Sequence, residues 1–161
     1  MAPSSQPANQ RASEVLSLLE TVLPLMGVEA SVNLVEADDE TISVDIASDD
    51  LSLLIGGRGR TLNALQCIAN VAANRPDEPW VRVVLDAEGY RERRRLSLEK
   101  CAAKTADQAL EEDREIALEP MNAFERRIVH CALSERDDVA TDSRGEEPYR
   151  FVVVLPASPK E

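Results

Sequence analysis

The segment Gly56-Gly57-Arg58-Gly59-Arg60 has the composition of a loop that binds a phosphate group. Glycine has no Cβ, so the backbone of such a loop can approach a phosphate closely. A helix that follows the loop directs its free N–H groups and the positive end of its dipole at the same anion. The alternative is a glycine turn that only joins two helices, and an isolated GxxG favours that alternative. A nucleotide-binding loop is disfavoured, because the segment follows a helix and lacks both the Walker lysine and the third Rossmann glycine.

A second segment that could do chemistry is Arg126-Arg127-Ile128-Val129-His130, which lies in a predicted helix. Residues four apart share one face of a helix, so Arg126 and His130 could bind one anion together. In the structural alternative, the arginine bridges a local glutamate and the histidine bonds a backbone carbonyl. Spacing alone favours this structural alternative.

The segment from Arg91 to Arg95 holds four arginines at the start of a long predicted helix. They spread around the helix, so they cannot all face one ligand. Two interpretations stay open: a positive patch along a nucleic-acid path, or a solvated face paired with acidic neighbours. Trp80 and Tyr90 could stack on bases, although a single tryptophan at a strand start is more often part of the core.

The apolar pattern predicts the elements that position the glycine-rich segment. Three- and four-residue spacing indicates helices, and alternation indicates strands. The predicted order is helix, strand, strand, helix, helix, strand, with the glycines between the second and third helices. These elements are a helix at 12–26 begun by Ser13 and ended by Gly27, strands at 28–34 and 42–46, a helix at 49–55 capped by Asp49 or Asp50, a helix closed by Pro76 and Pro79, and a strand at 80–85.

The second half of the chain predicts a different set of elements. They are a helix at 89–113, an extended piece at 115–118, a helix at 122–134, and strands at 139–141 and 150–155 around a turn at 143–145. Asn122 with Glu125 three positions later has the pattern of a capping box. We therefore predict an α+β protein of two small domains. The predicted boundaries are a disordered lead at 1–11, domains at 12–88 and 89–156, and a tail at 157–161.

Three stretches of this sequence resemble known domains. The stretch from Leu54 to Gln66, within an α-β-β-α-α-β unit, resembles the signature of a type II KH domain. The stretches from Met121 to His130 and from Val139 to Arg150 resemble the R-three-H domain, named for an arginine and a histidine separated by three residues. In this order, the two domains resemble the bacterial Jag (SpoIIIJ-associated) family. Many of its members begin with a further N-terminal domain that has no counterpart in this sequence.

The resemblance implies that both domains bind single-stranded nucleic acid. A KH domain clamps about four nucleotides, with their backbone against the GxxG loop and their bases in an adjacent apolar groove. Single-stranded RNA is the ligand implied, with single-stranded DNA and a small KH-domain protein as further candidate partners. The binding residues implied are those of the two motifs: Gly56, Gly57, Arg58, Gly59, Arg60, Arg126, Arg127 and His130.

The net charge of −12 lowers the expectation of nucleic-acid binding, because phosphate backbones attract Lys and Arg. The distribution of charge weakens this argument against nucleic-acid binding. Residues 1–88 carry 5 basic and 14 acidic side chains, whereas residues 89–161 carry 13 and 16. Some of the acidic residues are also clustered, such as Asp38-Asp39-Glu40 in a predicted turn. The total charge therefore does not decide between a nucleic-acid-binding protein and an adaptor.

The composition favours a reduced, cytoplasmic globular protein. With 43% hydrophobic and 3% aromatic residues, the core is expected to be aliphatic. Three cysteines, Cys67, Cys101 and Cys131, lie in apolar helical patterns and are predicted to be buried thiols. One histidine and no paired cysteines predict no metal site. No apolar run is long enough to span a bilayer, and no signal peptide or cofactor is expected.

The leading hypothesis is a non-catalytic protein that binds single-stranded RNA and regulates genes post-transcriptionally. The alternative is a protein-interaction adaptor in cell-envelope or division control with weak nucleic-acid binding, which explains the acidity best and the two motifs worst. An enzyme is disfavoured, because no serine or cysteine nucleophile adjoins the histidine and the carboxylates lack metal-ligand spacing.

Overall fold

The computed structural model describes residues 6–157, with side chains from residue 9. The chain divides into two compact units, Met1–Arg91 and Glu92–Glu161. Within residues 6–157, no helix combines the length and apolarity needed to cross a membrane.

The first unit has the predicted order of elements. It contains α1 (Gln6–Leu25), β1 (Ala30–Ala37), β2 (Thr41–Ser48), α2 (Leu51–Ile55), α3 (Arg60–Ala73) and β3 (Arg82–Asp86). The sheet order is β1-β2-β3, in which β1 and β2 pair antiparallel and β2 and β3 pair parallel. A parallel pair needs a crossover connection, and here α2, the glycine-rich loop and α3 form it. The α-β-β-α-α-β layout of a type II KH domain is confirmed.

The first helix begins earlier than its apolar pattern indicates. It starts at Gln6 rather than Ala12, so residues 6–11 are helical and do not belong to a disordered lead. Ser13 is therefore an interior residue and not the N-cap. Residues 1–5, like 158–161 of the predicted tail, lie outside the described residues.

The end of α1 was predicted correctly at Gly27. This glycine has a φ of 76°, a left-handed conformation that costs glycine little. The Val28 N–H donates to the Leu23 carbonyl and the Gly27 N–H to the Pro24 carbonyl, both at 3.0 Å. This pair of bonds is a Schellman motif, and it turns the chain toward β1.

The core of the first unit is aliphatic, as predicted. Ile42, Val44 and Ile46 alternate along β2 and are buried, while the residues between them face outward. Val83 and Leu85 of β3 extend this buried face, and leucine, valine and alanine side chains of α1 and α3 cover it. Trp80 is exposed and does not join the core.

The second unit contains α4 (Tyr90–Glu111), apart from its first two residues, which belong to the first unit, and β4 (Ile116–Ala117), α5 (Ala123–Leu133), β5 (Val139–Arg144) and β6 (Phe151–Pro156). Its sheet order is β4-β6-β5, and both pairs are antiparallel. The predicted β5 was too short, because the ladder continues from Thr141 opposite Val154 to Arg144 opposite Phe151. The connection to β6 therefore lies at 145–150 rather than around residues 143–145.

The three cysteines are free thiols and all are exposed, so the prediction of buried thiols was wrong. Each lies on an amphipathic helix, but outside its buried face. On α3, for example, the buried residues are Leu62, Leu65, Ala69 and Ala73, and Cys67 falls between their rows. An apolar residue within a helical pattern is not on its buried face unless it keeps the same spacing.

Candidate nucleic-acid interface

The glycine-rich loop is held at its start by the cap of α2. The Asp50 carboxylate accepts from the Ser52 hydroxyl at 2.8 Å and from the Leu53 N–H at 3.2 Å. These bonds, that from Ser52 above all, hold the pKa of Asp50 below its ordinary value. Asp50 is one of the two predicted caps, and Asp49 is not used. The Gly56 N–H donates to the Ser52 carbonyl at 2.9 Å, which closes the helix at the first glycine.

The first and last glycines of the loop are required by its backbone. Gly56 and Gly59 have φ values of 70° and 76°. A Cβ on Gly56 would lie 2.2 Å from the Thr61 Oγ1, and one on Gly59 would lie 3.0 Å from the Tyr90 Cε1. The contact at Gly56 is too close for any side chain, and the one at Gly59 is tighter than ordinary packing. The left-handed backbone adds strain at both positions. These two glycines therefore shape the loop.

Gly57 differs from the other two glycines of the loop. It is exposed, and a Cβ there would meet only the flexible Arg60 side chain, at 3.3 Å from its Nη2. Its missing side chain is thus not needed for packing within the unit. Because Gly57 has no side chain, a ligand can closely approach the outer surface of the loop.

The two arginines of the loop lie at the start of α3. Arg58 and Arg60 are both exposed, and the Arg60 Nε–H donates to the Gly57 carbonyl at 3.3 Å. Helix α3 begins at Arg60 and runs for 14 residues, so its N-terminal N–H groups and dipole face the same region. An open backbone, two cations and a helix N-terminus together suit a phosphate.

Arg126 is buried and already has two partners in the second unit. Its Nη1–H donates to the Met121 carbonyl at 2.8 Å, and its Nη2 forms an ion pair with the Glu147 Oε1 at 2.7 Å. Arg126 therefore pairs with a glutamate, as in the structural alternative, but this glutamate is not a local one. It lies on the loop between β5 and β6 rather than on the same helix.

His130 connects α5 to β5. Its Nδ1 lies 2.7 Å from the Thr141 Oγ1, and its Nε2 lies 2.8 Å from the Ser143 Oγ. The predicted partner of the structural alternative was a backbone carbonyl, and the structure has two hydroxyl groups instead. Arg126 and His130 thus contact the same β5–β6 hairpin, at two points along it.

Arg127 follows Arg126 on α5 but, unlike Arg126, is not buried. It is exposed, and it has no ion pair or hydrogen bond within the part of the chain that the structure describes. Of the two arginines on α5 that are predicted to bind, Arg127 is the one whose guanidinium can contact a ligand without breaking an internal bond.

The arginines from Arg91 to Arg95 form internal bonds. The Arg91 side chain donates to the Leu85 carbonyl and the Gln66 Oε1, and burial lowers its pKa. Arg94 pairs with the buried Glu125 at 2.7 Å. Arg95 binds carboxylates one turn away on either side, which raise its pKa. This segment fits the paired-face interpretation better than a free positive patch.

Sequence reasoning missed several residues of the second unit. Thr141 and Ser143 carried a usable signal, because residues two apart on a strand point to one face. No sequence signal distinguishes Glu147, since it is one of 30 acidic residues. Phe124 and Tyr149 are exposed aromatic residues whose positions no periodicity indicates.

Both units match domains of known families. Residues 14–85 match the KH domain of KhpA/KhpB, and residues 96–156 match the R-three-H domain. The glycine-rich loop lies in the first match, and Arg126, Arg127 and His130 lie in the second. The chain belongs to the Jag family.

Three Jag-family relatives are each called RNA-binding protein KhpB. The one from Clostridium symbiosum is 41% identical over 143 residues, which cover 88% of this chain and 64% of the relative. The Lactiplantibacillus plantarum protein is 37% identical over 150 residues, covering 92% and 46%. The Bacillus subtilis protein is 37% identical over 138 residues, covering 84% and 66%. The chain thus spans between about half and two thirds of the length of these relatives.

Proposed function

We propose that this chain is a non-catalytic protein that binds single-stranded RNA and acts post-transcriptionally in the cytoplasm, where its ligand is found. The glycine-rich loop is the observation that carries the proposal. Its first and last glycines fix a left-handed backbone, Gly57 leaves the surface open, and Arg58 and Arg60 lie beside the N-terminus of α3. The names of the Jag-family relatives support RNA as the ligand.

The strong acidity of the chain is compatible with RNA binding, because many acidic side chains neutralise arginines away from the loop. Arg75 pairs with Glu14, Arg136 with Asp107 and Asp138, and Arg144 with Glu115 and Asp142. The remaining negative charge repels RNA in general. We therefore propose that binding is confined to the exposed cations of the loop and of α5 and is weak elsewhere.

A second candidate function is an adaptor that binds a small KH-domain protein. The observation that favours it is the exposed apolar surface of α3, where Ile68 and Val71 face outward. This surface is distinct from the loop, so both functions can coexist on one unit. The RNA proposal has the greater support, since an adaptor alone gives no reason for an open Gly57 followed by two exposed arginines, Arg58 and Arg60.

Titration of labelled RNA by fluorescence anisotropy tests the proposal. We expect binding of a single-stranded oligonucleotide, weaker binding of a duplex, and recovery of the RNA uncut. If about three to five phosphates are neutralised, the log–log slope against salt is about −2 to −4. A flat salt response would indicate stacking alone or a protein ligand.

A pair of loop variants provides the matched control. Gly57→Asp with Arg58→Asp places two carboxylates at the proposed phosphate position, and we expect several-fold weaker binding. Gly57→Asn with Arg58→Asn has nearly the same shape without the charge, and we expect a smaller loss. Both replacements suit the exposed loop, because Asn and Asp tolerate the left-handed backbone of Arg58. Equal, unchanged binding by both variants would remove the loop from the proposed site.

A further inference from the structure

Two aromatic side chains of the second unit face the solvent. The whole chain has only five Phe, Trp and Tyr residues, yet Phe124 is 66% exposed and Tyr149 is 75% exposed. Burial of an aromatic side chain contributes strongly to a core, and this core is built from aliphatic residues instead. Exposure of both rings is therefore a feature that stability does not explain.

The two rings lie on segments that are bonded to each other. Phe124 lies two residues before Arg126, and Tyr149 lies two residues after Glu147, the two members of the ion pair at 2.7 Å. The Met121 N–H also donates to the Arg150 carbonyl at 3.0 Å. The start of α5 and the end of the β5–β6 loop are thus joined at two points, with one exposed ring on each segment.

A free cation lies beside one of these rings. Phe124 and Arg127 are three residues apart on α5, which makes them neighbours on the helix surface, with about 5–6 Å between their Cβ atoms. Both side chains are exposed, and within residues 6–157 Arg127 has no internal partner. An aromatic ring next to an open guanidinium matches a nucleotide, which has a flat base beside an anionic phosphate.

The surroundings of the rings favour nucleotide bases over a protein surface. The exposed neighbours of Phe124 and Tyr149 include Ala123 and Pro148 together with the polar Asn122, Arg127 and Glu146, so each ring lies in a mixed rather than a purely apolar surface. Protein-binding sites on a helix are apolar rows of side chains. Base stacking needs only a flat ring and tolerates polar neighbours, since every base has a π-face.

We propose that Phe124 and Tyr149 form a base-stacking platform of the second unit, and that Arg127 contacts a phosphate beside it. The occupant is unpaired bases of single-stranded RNA, so this inference depends on the proposed function. It adds a second set of contacts, separate from the glycine-rich loop, to the same ligand class. Loss of one stacked base weakens binding by about fivefold to a hundredfold, with exposed rings at the lower end.

The test compares two double variants and one single variant of the full chain. Phe124→Ala with Tyr149→Ala removes both rings, and Phe124→Leu with Tyr149→Leu keeps apolar bulk without a π-face. Leu25→Ala is the control, because it removes an exposed apolar side chain, at 83%, that has no assigned contact with RNA, from the other unit. Each variant is titrated with a single-stranded RNA of about twelve nucleotides and with a strand of equal length whose bases are absent. Thermal unfolding checks that each variant is folded.

We expect both ring variants to bind the complete RNA at least about fivefold more weakly and the abasic strand as the wild type does. The Leu25 control is expected to keep the affinity of the wild type. Full RNA affinity in the alanine or leucine variant would overturn the platform while leaving the RNA proposal intact, and loss of affinity for both strands would assign the rings a structural role. A wild-type chain that binds neither strand would overturn the proposed function and the platform together.

Discussion

The Arg126 Nη2 lies 2.7 Å from the Glu147 Oε1, and the two side chains differ sharply in exposure, at 10% and 57%. The arginine is fixed in the unit by its bond to the Met121 carbonyl, whereas the glutamate extends from a loop. Carboxylates and phosphates use the same guanidinium donors. If Arg126 binds RNA, Glu147 is therefore its competitor.

Replacing Glu147 by Gln is expected to strengthen RNA binding, because it releases the Nη2 of Arg126 for a phosphate. The gain is expected to reach about fivefold, the equivalent of about 1 kcal/mol, which is the upper end for an ion pair whose carboxylate is exposed to solvent. Glu146→Gln is the matched control, with the same change of charge one residue away. Anisotropy titrations at one salt concentration compare the two. Equal gains in both variants would mean that only the long-range charge matters and that Arg126 does not contact the strand.

Gly56→Ala is expected to destabilise the first unit, whereas Gly57→Ala is expected to be nearly neutral. The Gly56 backbone has a φ of 70°, and its new Cβ would meet the Thr61 Oγ1. A left-handed backbone costs a non-glycine residue about 1–2 kcal/mol, before any clash. Thermal unfolding should show a decrease of several degrees for Gly56→Ala, at roughly 4–8 °C for each kcal/mol in a unit of this size. Similar midpoints for the two variants would contradict the geometry of the loop.

Glu125 has two roles at the start of α5, and two variants separate them. Its Oε1 pairs with Arg94 at 2.7 Å, and its Oε2 accepts from the Asn122 N–H at 3.3 Å within the capping box. Glu125→Ala removes both contacts and leaves Arg94 without its ion-pair partner. We expect a loss of stability below the about 3–5 kcal/mol typical of breaking a fully buried pair, because the Arg94 side chain is partly exposed.

Glu125→Gln keeps a side chain that can complete a capping box but removes the charge. Its effect is therefore expected to lie between those of the wild type and the alanine variant. Hydrogen exchange of the α5 amides measures both changes within this unit alone. If the glutamine variant is as unstable as the alanine variant, the ion pair with Arg94 accounts for the whole effect and the cap contributes nothing.

Local patterns made most of the fold predictable. Alternation at Ile42, Val44 and Ile46 indicated β2, and Asp50 and Gly56 marked the two ends of α2, so the order of elements in the first unit followed. The start of α1 was missed because its first residues, from Gln6 to Arg11, have no apolar spacing. Periodicity detects a helix only where one of its faces is apolar.

The candidate site was predictable only where it is local. The position of the glycine-rich loop follows from neighbouring residues, but the partner of Arg126 lies 21 residues further along the chain, among many acidic side chains. The contacts of His130 with Thr141 and Ser143 cross from α5 to β5. Pairs of this kind depend on how a helix packs on a sheet, which residue spacing does not encode.

The last prediction concerns the length of RNA that the chain prefers. The two units are joined covalently, and a short connection between two weak sites raises the effective concentration of the second to roughly millimolar. A strand long enough to occupy both units should therefore bind far more tightly than one of about four nucleotides, the length that a KH domain clamps. Titrations against a length series at fixed salt measure this advantage.

Replacing Arg126 and His130 together by Ala is expected to erase the length advantage and to leave the binding of short strands at the glycine-rich loop intact. Because both residues also hold α5 against the β5–β6 hairpin, the variant needs a structural control. Thr141→Val with Ser143→Ala removes the hydroxyl partners of His130 but keeps Arg126 and His130 themselves. This control should retain most of the length advantage. If both variants lose it equally, Arg126 and His130 act on RNA only by positioning α5, and the phosphate contact of the second unit belongs to Arg127.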